Sequence, residues 1–197
     1  MNDSYLLPRK KCQSIASDVH DLLRGFLIEH KDTYELHDLA FQDRLPVIAP
    51  IQDFFQYVAR ERTGNKAPLS QSLIWPTNIL GIRWEDPPGK GPAAAWLFKR
   101  GALPTIVYDA DMISTKVGLE HRNRLINRLV LHEIGHTWLH WDELGKNAKG
   151  GLIPSASNVH ECEAWFFSSV VMGLATGSNA NLCRKSKGPD DAWLLVG

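Results

Sequence analysis

Two histidines and a glutamate stand at a spacing that can bind a metal ion. Residues 132–136 read His132-Glu133-Ile134-Gly135-His136, within a segment whose apolar residues recur at helical spacing. On an α-helix, positions i and i+4 lie on one face, so both imidazoles can bind a single Zn²⁺. Glu133 is then placed to act as the general base toward the attacking water. The pattern predicts a zinc hydrolase with His132 and His136 as ligands and Glu133 as the catalytic residue.

A catalytic zinc site usually has three protein ligands and one open position. The first place to look for the third ligand is Asp142, six residues after His136. That compact arrangement needs a glycine three residues after the second histidine so that the chain can turn back. The sequence has Leu139 there, and the helical pattern continues beyond it. Asp142 is therefore a poor candidate.

The better candidates are two glutamates on the next predicted helix, Glu161 and Glu163. Helical phase separates two residues at this spacing by about 200°, so only one of them can face the metal. Both lie on faces that carry apolar residues, and phase alone does not decide between them. Small Ala164 favours a close helix approach on the Glu161 side. This favours Glu161 as the third ligand and leaves Glu163 as the alternative.

Three further polar residues lie near the motif in the sequence. Tyr108 ends the last predicted strand before the motif helix, where a phenol could polarise a carbonyl. His140 follows the motif by one helical turn, and His160 precedes the proposed glutamate ligand. Each is a candidate for contacting a ligand or stabilising the transition state, and for each a purely structural role is the alternative.

Composition restricts the class of protein. The chain has 197 residues, with Lys+Arg and Asp+Glu equal at 22 each, so no global positive charge favours direct nucleic-acid binding. The sequence shows no signal-peptide pattern and no apolar run that could span a bilayer. Its three cysteines lack C-x-x-C spacing, which fits reduced thiols better than disulfides. We expect a soluble, cytoplasmic protein that does not bind membranes, and its oligomeric state stays open.

Periodicity predicts four helices and one small sheet. Three apolar stretches, separated by turn-forming residues, predict a mainly antiparallel sheet, and residues 63–78 have the composition of a loop. The expected fold class is α+β, with this sheet packed against the two metal-bearing helices and further helices at the N-terminus. The predicted helices cover residues 12–28, 50–62, 118–141 and 157–175, and the predicted strands are Asn78–Trp84, Ala93–Lys99 and Thr105–Tyr108.

The predicted organisation is one metallopeptidase domain over residues 1–177, followed by a C-terminal tail over 178–197. Within the domain, residues 1–65 form the helical N-terminal part, 75–110 the sheet and 118–175 the helices of the zinc site. The tail is rich in Gly, Ser, Asn and Lys and carries one apolar patch, Trp193-Leu194-Leu195-Val196.

Residues from about 104 to 172 resemble the ImmA/IrrE family of intracellular metallopeptidases. The family has an extended strand, an Arg-containing helix leading into H-E-[LI]-G-H-x-x-x-H, and a downstream helix of the form E-x-x-A-x-x-F-[AS]. In this chain these motifs are Thr105–Asp109, Arg128–His140, and Glu161 with Ala164, Phe167 and Ser168. The resemblance implies a minimal metallopeptidase fold of the glutamate-ligand type, with His132, His136 and Glu161 binding zinc and Glu133 as the base.

The resemblance also implies a substrate class. Family members cleave, or are thought to cleave, helix-turn-helix transcriptional repressors in stress responses or in the control of mobile elements. The expected function is thus an intracellular zinc endopeptidase acting on a DNA-binding repressor. This chain has Trp165 where the family usually has Asn or Asp. The alternative is a catalytically weak or inactive, zinc-stabilised regulator that acts by binding a partner protein.

Overall fold

The structure is a computed structural model that describes residues 7–39, 49–64, 74–76, 95–100, 103–108, 119–144, 158–175, 183–185 and 192–195. Within these ranges the chain forms four α-helices, one 3-10 helix and six short strands. The helices are α1 (Arg9–Glu29), α2 (Ala49–Thr63), α3 (Leu119–Leu144) and α4 (Asn158–Ala175), with the 3-10 helix at Leu36–Leu39. The strands are β1 (Leu7–Pro8), β2 (Ile74–Pro76), β3 (Ala95–Arg100), β4 (Leu103–Tyr108), β5 (Cys183–Lys185) and β6 (Ala192–Leu195).

Local sequence explains where the two N-terminal helices begin and end. Pro8 directly precedes α1, and Pro50 lies in the first turn of α2, where a missing N–H costs no hydrogen bond. At the end of α1 the His30 backbone N–H donates to the Phe26 carbonyl at 2.9 Å. Gly64 follows α2 with φ of +64°, a left-handed conformation that glycine adopts without strain, and its N–H donates to Arg60 O.

The hydrophobic core lies among the helices. Helices α3 and α4 pack on each other, α1 packs against α4, and α2 packs against α3. Eight of the ten largest fully buried side chains lie on these helices, and the other two are Leu7 and Ile106 on strands. The helical eight are Ile15, Phe26, Ile51, Phe54, Phe55, Ile126, Leu131 and Phe167. The helix pair that carries the candidate metal ligands is therefore held between two other helices.

The strands make two three-stranded arrangements. In one, β4 lies in the middle, antiparallel to β3 and parallel to β2, with Ile106 opposite Leu97 and Ile74. In the other, β6 lies between β1 and β5, and Leu7 pairs with Trp193. Strand β6 belongs to the predicted C-terminal tail, residues 178–197. Part of this tail therefore pairs with β1, the strand that leads into α1.

The predicted α+β fold class is wrong, because the part of the chain that the structure describes is mostly helical. Strands β3 and β4 contact α3, but among the described residues most of the core comes from helices, and α1 and α2 contact α4 and α3. Apolar stretches of four to seven residues give no information about which distant segment they pack against, so periodicity overestimated the share of the core that strands would supply.

Two other predictions fall on the segment between α2 and α3. The expected loop over 63–78 contains a short strand, Ile74–Pro76, which pairs in parallel with β4. The predicted strand Asn78–Trp84 lies outside the described residues. Across the part of the chain that is described, no helix is both long and apolar enough to cross a membrane.

Candidate metal centre

Three side chains from two helices converge on one point. His132 and His136 project from the same face of α3, and Glu161 reaches them from the first turn of α4. His132 Nε2 lies 3.1 Å from His136 Nε2 and 3.1 Å from Glu161 Oε2. His136 Nε2 lies 3.5 Å from Glu161 Oε1. These atoms lie within 4.8 Å of one another, so the three residues form a group that can hold a metal ion.

The spacing of these atoms fits tetrahedral coordination. Ligand atoms at ~2.0–2.1 Å from a tetrahedral Zn²⁺ lie about 3.3–3.4 Å from one another. The two histidine nitrogens lie 3.1 Å apart, and the Glu161 oxygens Oε2 and Oε1 lie 3.1 and 3.5 Å from them, all close to that value. Both imidazoles are buried, whereas the Glu161 side chain is 42% exposed. The group therefore opens toward solvent on the glutamate side.

The crossing of α3 and α4 determines which glutamate reaches the histidines. A Cβ built on Gly135 would lie 3.1 Å from the Ala164 carbonyl oxygen and 3.2 Å from Ala164 Cα. The two helices thus approach closely where both residues are small. Ala164 lies three positions after Glu161, on the same face of α4, so this contact directs Glu161 at the two histidines. Glu163 points elsewhere and contacts His140.

Glu133 lies between the two ligand histidines in sequence and is 9% exposed. Burial raises the pKa of its carboxyl group above the usual value, an effect that nearby His132 and His136 oppose and Glu161 reinforces. The Thr137 hydroxyl donates a hydrogen bond to the Glu133 carbonyl oxygen at 3.0 Å, and this contact stabilises the helical turn that carries Glu133. A carboxyl group with a raised pKa near the candidate ligands is suited to act as a general base.

Electrostatics in the group follow from the close approach of its members. Burial alone would lower the pKa of His136, but hydrogen bonding to Glu161 and the charges of Glu133, Glu161 and Glu163 outweigh burial and raise it. Burial likewise opposes ionisation of Glu161, yet His132 and His136 lower the pKa of its carboxyl group well below the usual range. Glu161 is thus held as a carboxylate, the form that binds a cation.

A second set of contacts continues from His136 away from the ligand atoms. His136 Nδ1 lies 3.0 Å from His140 Nδ1, and His140 Nε2 lies 2.9 Å from Glu163 Oε2. Lys11 Nζ, on α1, lies 3.2 Å from the same carboxylate oxygen. Burial lowers the pKa of His140 despite its contact with Glu163. Burial opposes ionisation of Glu163, but His140 and Lys11 lower the pKa of its carboxyl group.

His132 is positioned by ring contacts. The Trp165 ring lies 4.2 Å from the His132 ring, centroid to centroid, at an interplanar angle of 40°. The Arg128 guanidinium lies 5.2 Å from the centroid of Trp165. Trp165 follows Glu161 by one turn of α4, and Arg128 precedes His132 by one turn of α3. The indole therefore packs between an arginine and a candidate ligand.

Protein-family models, curated proteins and solved structures were all compared with this chain, and none of them matches it. The fold and the metal centre therefore stand on their own geometry, and the resemblance to the ImmA/IrrE family stays a prediction.

The other candidate residues do not belong to the group formed by His132, His136 and Glu161. The His160 ring lies 4.3 Å from the His140 ring, and its Nε2 is 3.4 Å from Glu143 Oε2. Tyr108 is 5% exposed and belongs to the hydrophobic core at the end of β4. Asp142 is exposed and pairs with Arg62 of α2. Whether Tyr108 or His160 stabilises a transition state stays a prediction.

Two residues of the site were missed by sequence reasoning. Gly135 had a detectable signal, since a glycine in the middle of an apolar helix indicates a close backbone approach. Lys11 had none, because nothing in a lysine on the first predicted helix indicates a partner on the last one.

Proposed function

We propose that this protein is a zinc-dependent peptidase of the ImmA/IrrE type. In this proposal His132, His136 and Glu161 bind zinc, and Glu133 is the catalytic base. The observation that carries the proposal is the meeting of two imidazoles and a carboxylate from different helices, with a buried glutamate beside them. A site that served only to stabilise the fold would usually have a closed set of four protein ligands.

The donor set supports zinc as the metal. Two imidazole nitrogens and one carboxylate oxygen form a recurrent catalytic zinc site, and their spacing fits a tetrahedron with one free position. Magnesium and calcium prefer oxygen ligands, and two buried imidazoles disfavour both. The partial exposure of Glu161 leaves room for a substrate at the free position.

The proposed reaction is hydrolysis of a peptide bond. Bound zinc supplies Lewis acidity, which acidifies water and polarises the scissile carbonyl. Glu133 takes a proton from the attacking water as the new C–O bond forms. The same carboxyl group then gives that proton to the amide nitrogen as the C–N bond breaks. Glu161 remains ionised throughout as a ligand, and His132 and His136 hold their orientation.

We further propose that the substrate is a protein, namely a helix-turn-helix transcriptional repressor. The support for this is the resemblance of residues from about 104 to 172 to the motifs of a family with such substrates. The chain has equal numbers of acidic and basic residues, which argues against direct DNA binding by the protein itself. An effect on transcription would therefore act through a repressor.

The test compares wild type with Glu133→Gln and with Glu61→Gln, a control that makes the same change at an exposed position of α2. Each protein is expressed in the same cells, and new protein N-termini are measured by mass spectrometry. We expect wild type and Glu61→Gln to produce the same new N-termini, within a DNA-binding repressor, and Glu133→Gln to produce none.

Zinc content is measured on the three purified proteins. Equal zinc content with cleavage lost only in Glu133→Gln supports the proposal. Unchanged cleavage by Glu133→Gln refutes the role of Glu133. If none of the proteins produces new N-termini although all three bind zinc, the peptidase proposal fails, and a non-hydrolytic regulator becomes the better explanation.

A further inference from the structure

We propose that His140 and Glu163 are positioning residues that fix the proton arrangement and the ring orientation of His136, and that Lys11 anchors them from α1. This inference rests on the metal centre of the proposed function. It concerns four side chains on three helices, His136 and His140 on α3, Glu163 on α4 and Lys11 on α1, which we call the relay.

The two ring nitrogens of His136 point in opposite directions. Its Nε2 points at His132 and Glu161, so this nitrogen is the one available to a metal ion. Its Nδ1 points to the opposite side and lies 3.0 Å from His140 Nδ1. An imidazole that binds a metal through one nitrogen carries its ring proton on the other. In the metal-bound protein His136 Nδ1–H is therefore a donor.

The position of the ring proton on His140 follows from that on His136. Two nitrogens that face each other at hydrogen-bond distance need one donor and one acceptor. Since His136 Nδ1 donates, His140 Nδ1 must accept, and the ring proton of His140 lies on Nε2. That Nε2–H points at Glu163 Oε2, 2.9 Å away. The geometry thus allows one proton arrangement, in which each ring donates to the next group.

At the end of the relay away from His136, the Glu163 carboxylate contacts two partners. The Glu163 side chain is 8% exposed, and a buried carboxylate needs partners to offset its desolvation. His140 provides one, and Lys11 provides the other at 3.2 Å from the same oxygen. The Lys11 side chain is 42% exposed, so its charge is partly screened by solvent. We therefore expect Lys11 to matter less than Glu163.

The two ligand histidines differ in this respect. His132 Nδ1 is buried and has no hydrogen-bond partner among the residues that the structure describes. Its ring is held by contact with Trp165. Within the described part of the chain, the hydrogen-bonded support of the metal centre is thus on the His136 side, which makes metal binding sensitive to changes at His140.

The first experiment measures zinc affinity by competition with a chromophoric chelator, and the visible spectrum of the Co²⁺-loaded protein. His140→Phe keeps a ring but leaves the His136 donor without an acceptor. We expect zinc affinity to fall about 10–100-fold and the Co²⁺ bands to shift. Glu163→Gln keeps a neutral acceptor, and we expect a smaller loss. Tyr34→Phe is the control, since it removes a hydrogen bond to Asp53 that lies outside the metal centre.

The second experiment needs no substitution and so does not depend on a variant that folds. Nitrogen-15 NMR of the zinc-loaded wild-type protein reports which ring nitrogen of each histidine carries a proton. We expect the proton on Nδ1 of His136 and on Nε2 of His140. A proton on Nδ1 of His140 would overturn the relay.

The outcomes separate this inference from the proposed function. If wild type binds no zinc, the metal centre and the relay both fail. If wild type binds zinc and folded His140→Phe binds it within twofold of wild type with an unchanged Co²⁺ spectrum, the relay fails and the metal centre stands. His140→Gln returns an acceptor oxygen that His140→Phe lacks. A higher zinc affinity in His140→Gln than in His140→Phe supports the relay over a loss of packing.

Discussion

Gly135 of α3 and Ala164 of α4 face each other in a close contact between the two helices that carry the candidate metal ligands. A Cβ at Gly135 would lie 3.1 Å from the Ala164 carbonyl oxygen and 3.2 Å from Phe167 Cβ. These atoms belong to the helix backbone or its first side-chain carbon, so they cannot move aside as the end of a flexible side chain can. The distance between the two helices depends on the lack of a side chain at Gly135, and so does the position of Glu161.

We expect Gly135→Ala to weaken zinc binding more than it weakens the fold. Alanine favours a helix over glycine by about 0.5–1 kcal/mol, which offsets part of the steric cost. The added methyl group nevertheless pushes α4 outward by a few tenths of an ångström. Zinc affinity should fall several-fold, as measured by chelator competition, and Gly135→Val should lower it further.

The control is Gly25→Ala on α1, where the added Cβ meets the hydroxyl end of the Tyr57 side chain. This change also crowds a partly buried contact between two helices, α1 and α2, neither of which carries a candidate metal ligand. Its zinc affinity should equal that of wild type. Equal affinities for Gly135→Ala and Gly25→Ala would contradict the role assigned to the close helix contact.

Glu161→Ala should abolish zinc binding at concentrations that saturate wild type, because it removes one of the three proposed ligands. Glu163→Ala should retain a zinc site of lower affinity, because its carboxylate contacts His140 and Lys11. Isothermal titration calorimetry on both variants distinguishes the two. Retention of zinc by Glu161→Ala with its loss in Glu163→Ala would transfer the ligand role to Glu163.

Stabilisation by zinc should grow as pH rises from about 5.5 to 7.5. Without metal the pKa of His136 is raised, so its ion pair with Glu161 stabilises the fold at low pH and is lost as pH rises through that pKa. Zinc needs the neutral ring and competes with this proton. The difference in melting temperature with and without zinc measures the effect. A difference that is constant over this pH range would show that His136 protonation does not compete.

Trp165→Leu should lower both stability and zinc affinity. The substitution removes the ring contact with His132 and the cation–π contact with Arg128, together worth about 1–2 kcal/mol. With its ring no longer supported, His132 should bind zinc a few-fold more weakly. Chemical denaturation measures the first effect and chelator competition the second.

Tyr57→Leu is the matched control for this change, because Arg60 lies 5.2 Å from the Tyr57 centroid, the same distance as in the Arg128–Trp165 pair. It should lower stability and leave zinc affinity unchanged. A similar loss of zinc affinity in both variants would show that the effect of Trp165 is a general loss of stability.

The helices were the part of the fold that local sequence could predict. The structure has α2 at Ala49–Thr63 and α4 at Asn158–Ala175, within one residue of the predicted spans, and α1 and α3 differ from theirs by three residues or fewer. Amphipathic periodicity over four or more turns is a strong local signal. The fold class was predicted wrongly, because the partners of short apolar segments depend on contacts between residues far apart in the chain.

For the metal centre, the sequence by itself determined the pair His132 and His136 with Glu133 beside them. One turn of helix separates i from i+4, and the backbone geometry of a single helix brings the two rings together. Helical phase also determined that Glu161 and Glu163 point to different sides of α4. It could not determine which side faces α3.

Only the tertiary structure decided that question. The packing of α4 on α3 through Gly135 and Ala164 directs Glu161 at the two imidazoles. The same packing places Glu163 beside His140, where Lys11 of α1 also reaches it. The physical reason is that the rotation of one helix about another depends on side-chain packing along the whole interface, which joins residues from opposite ends of the chain.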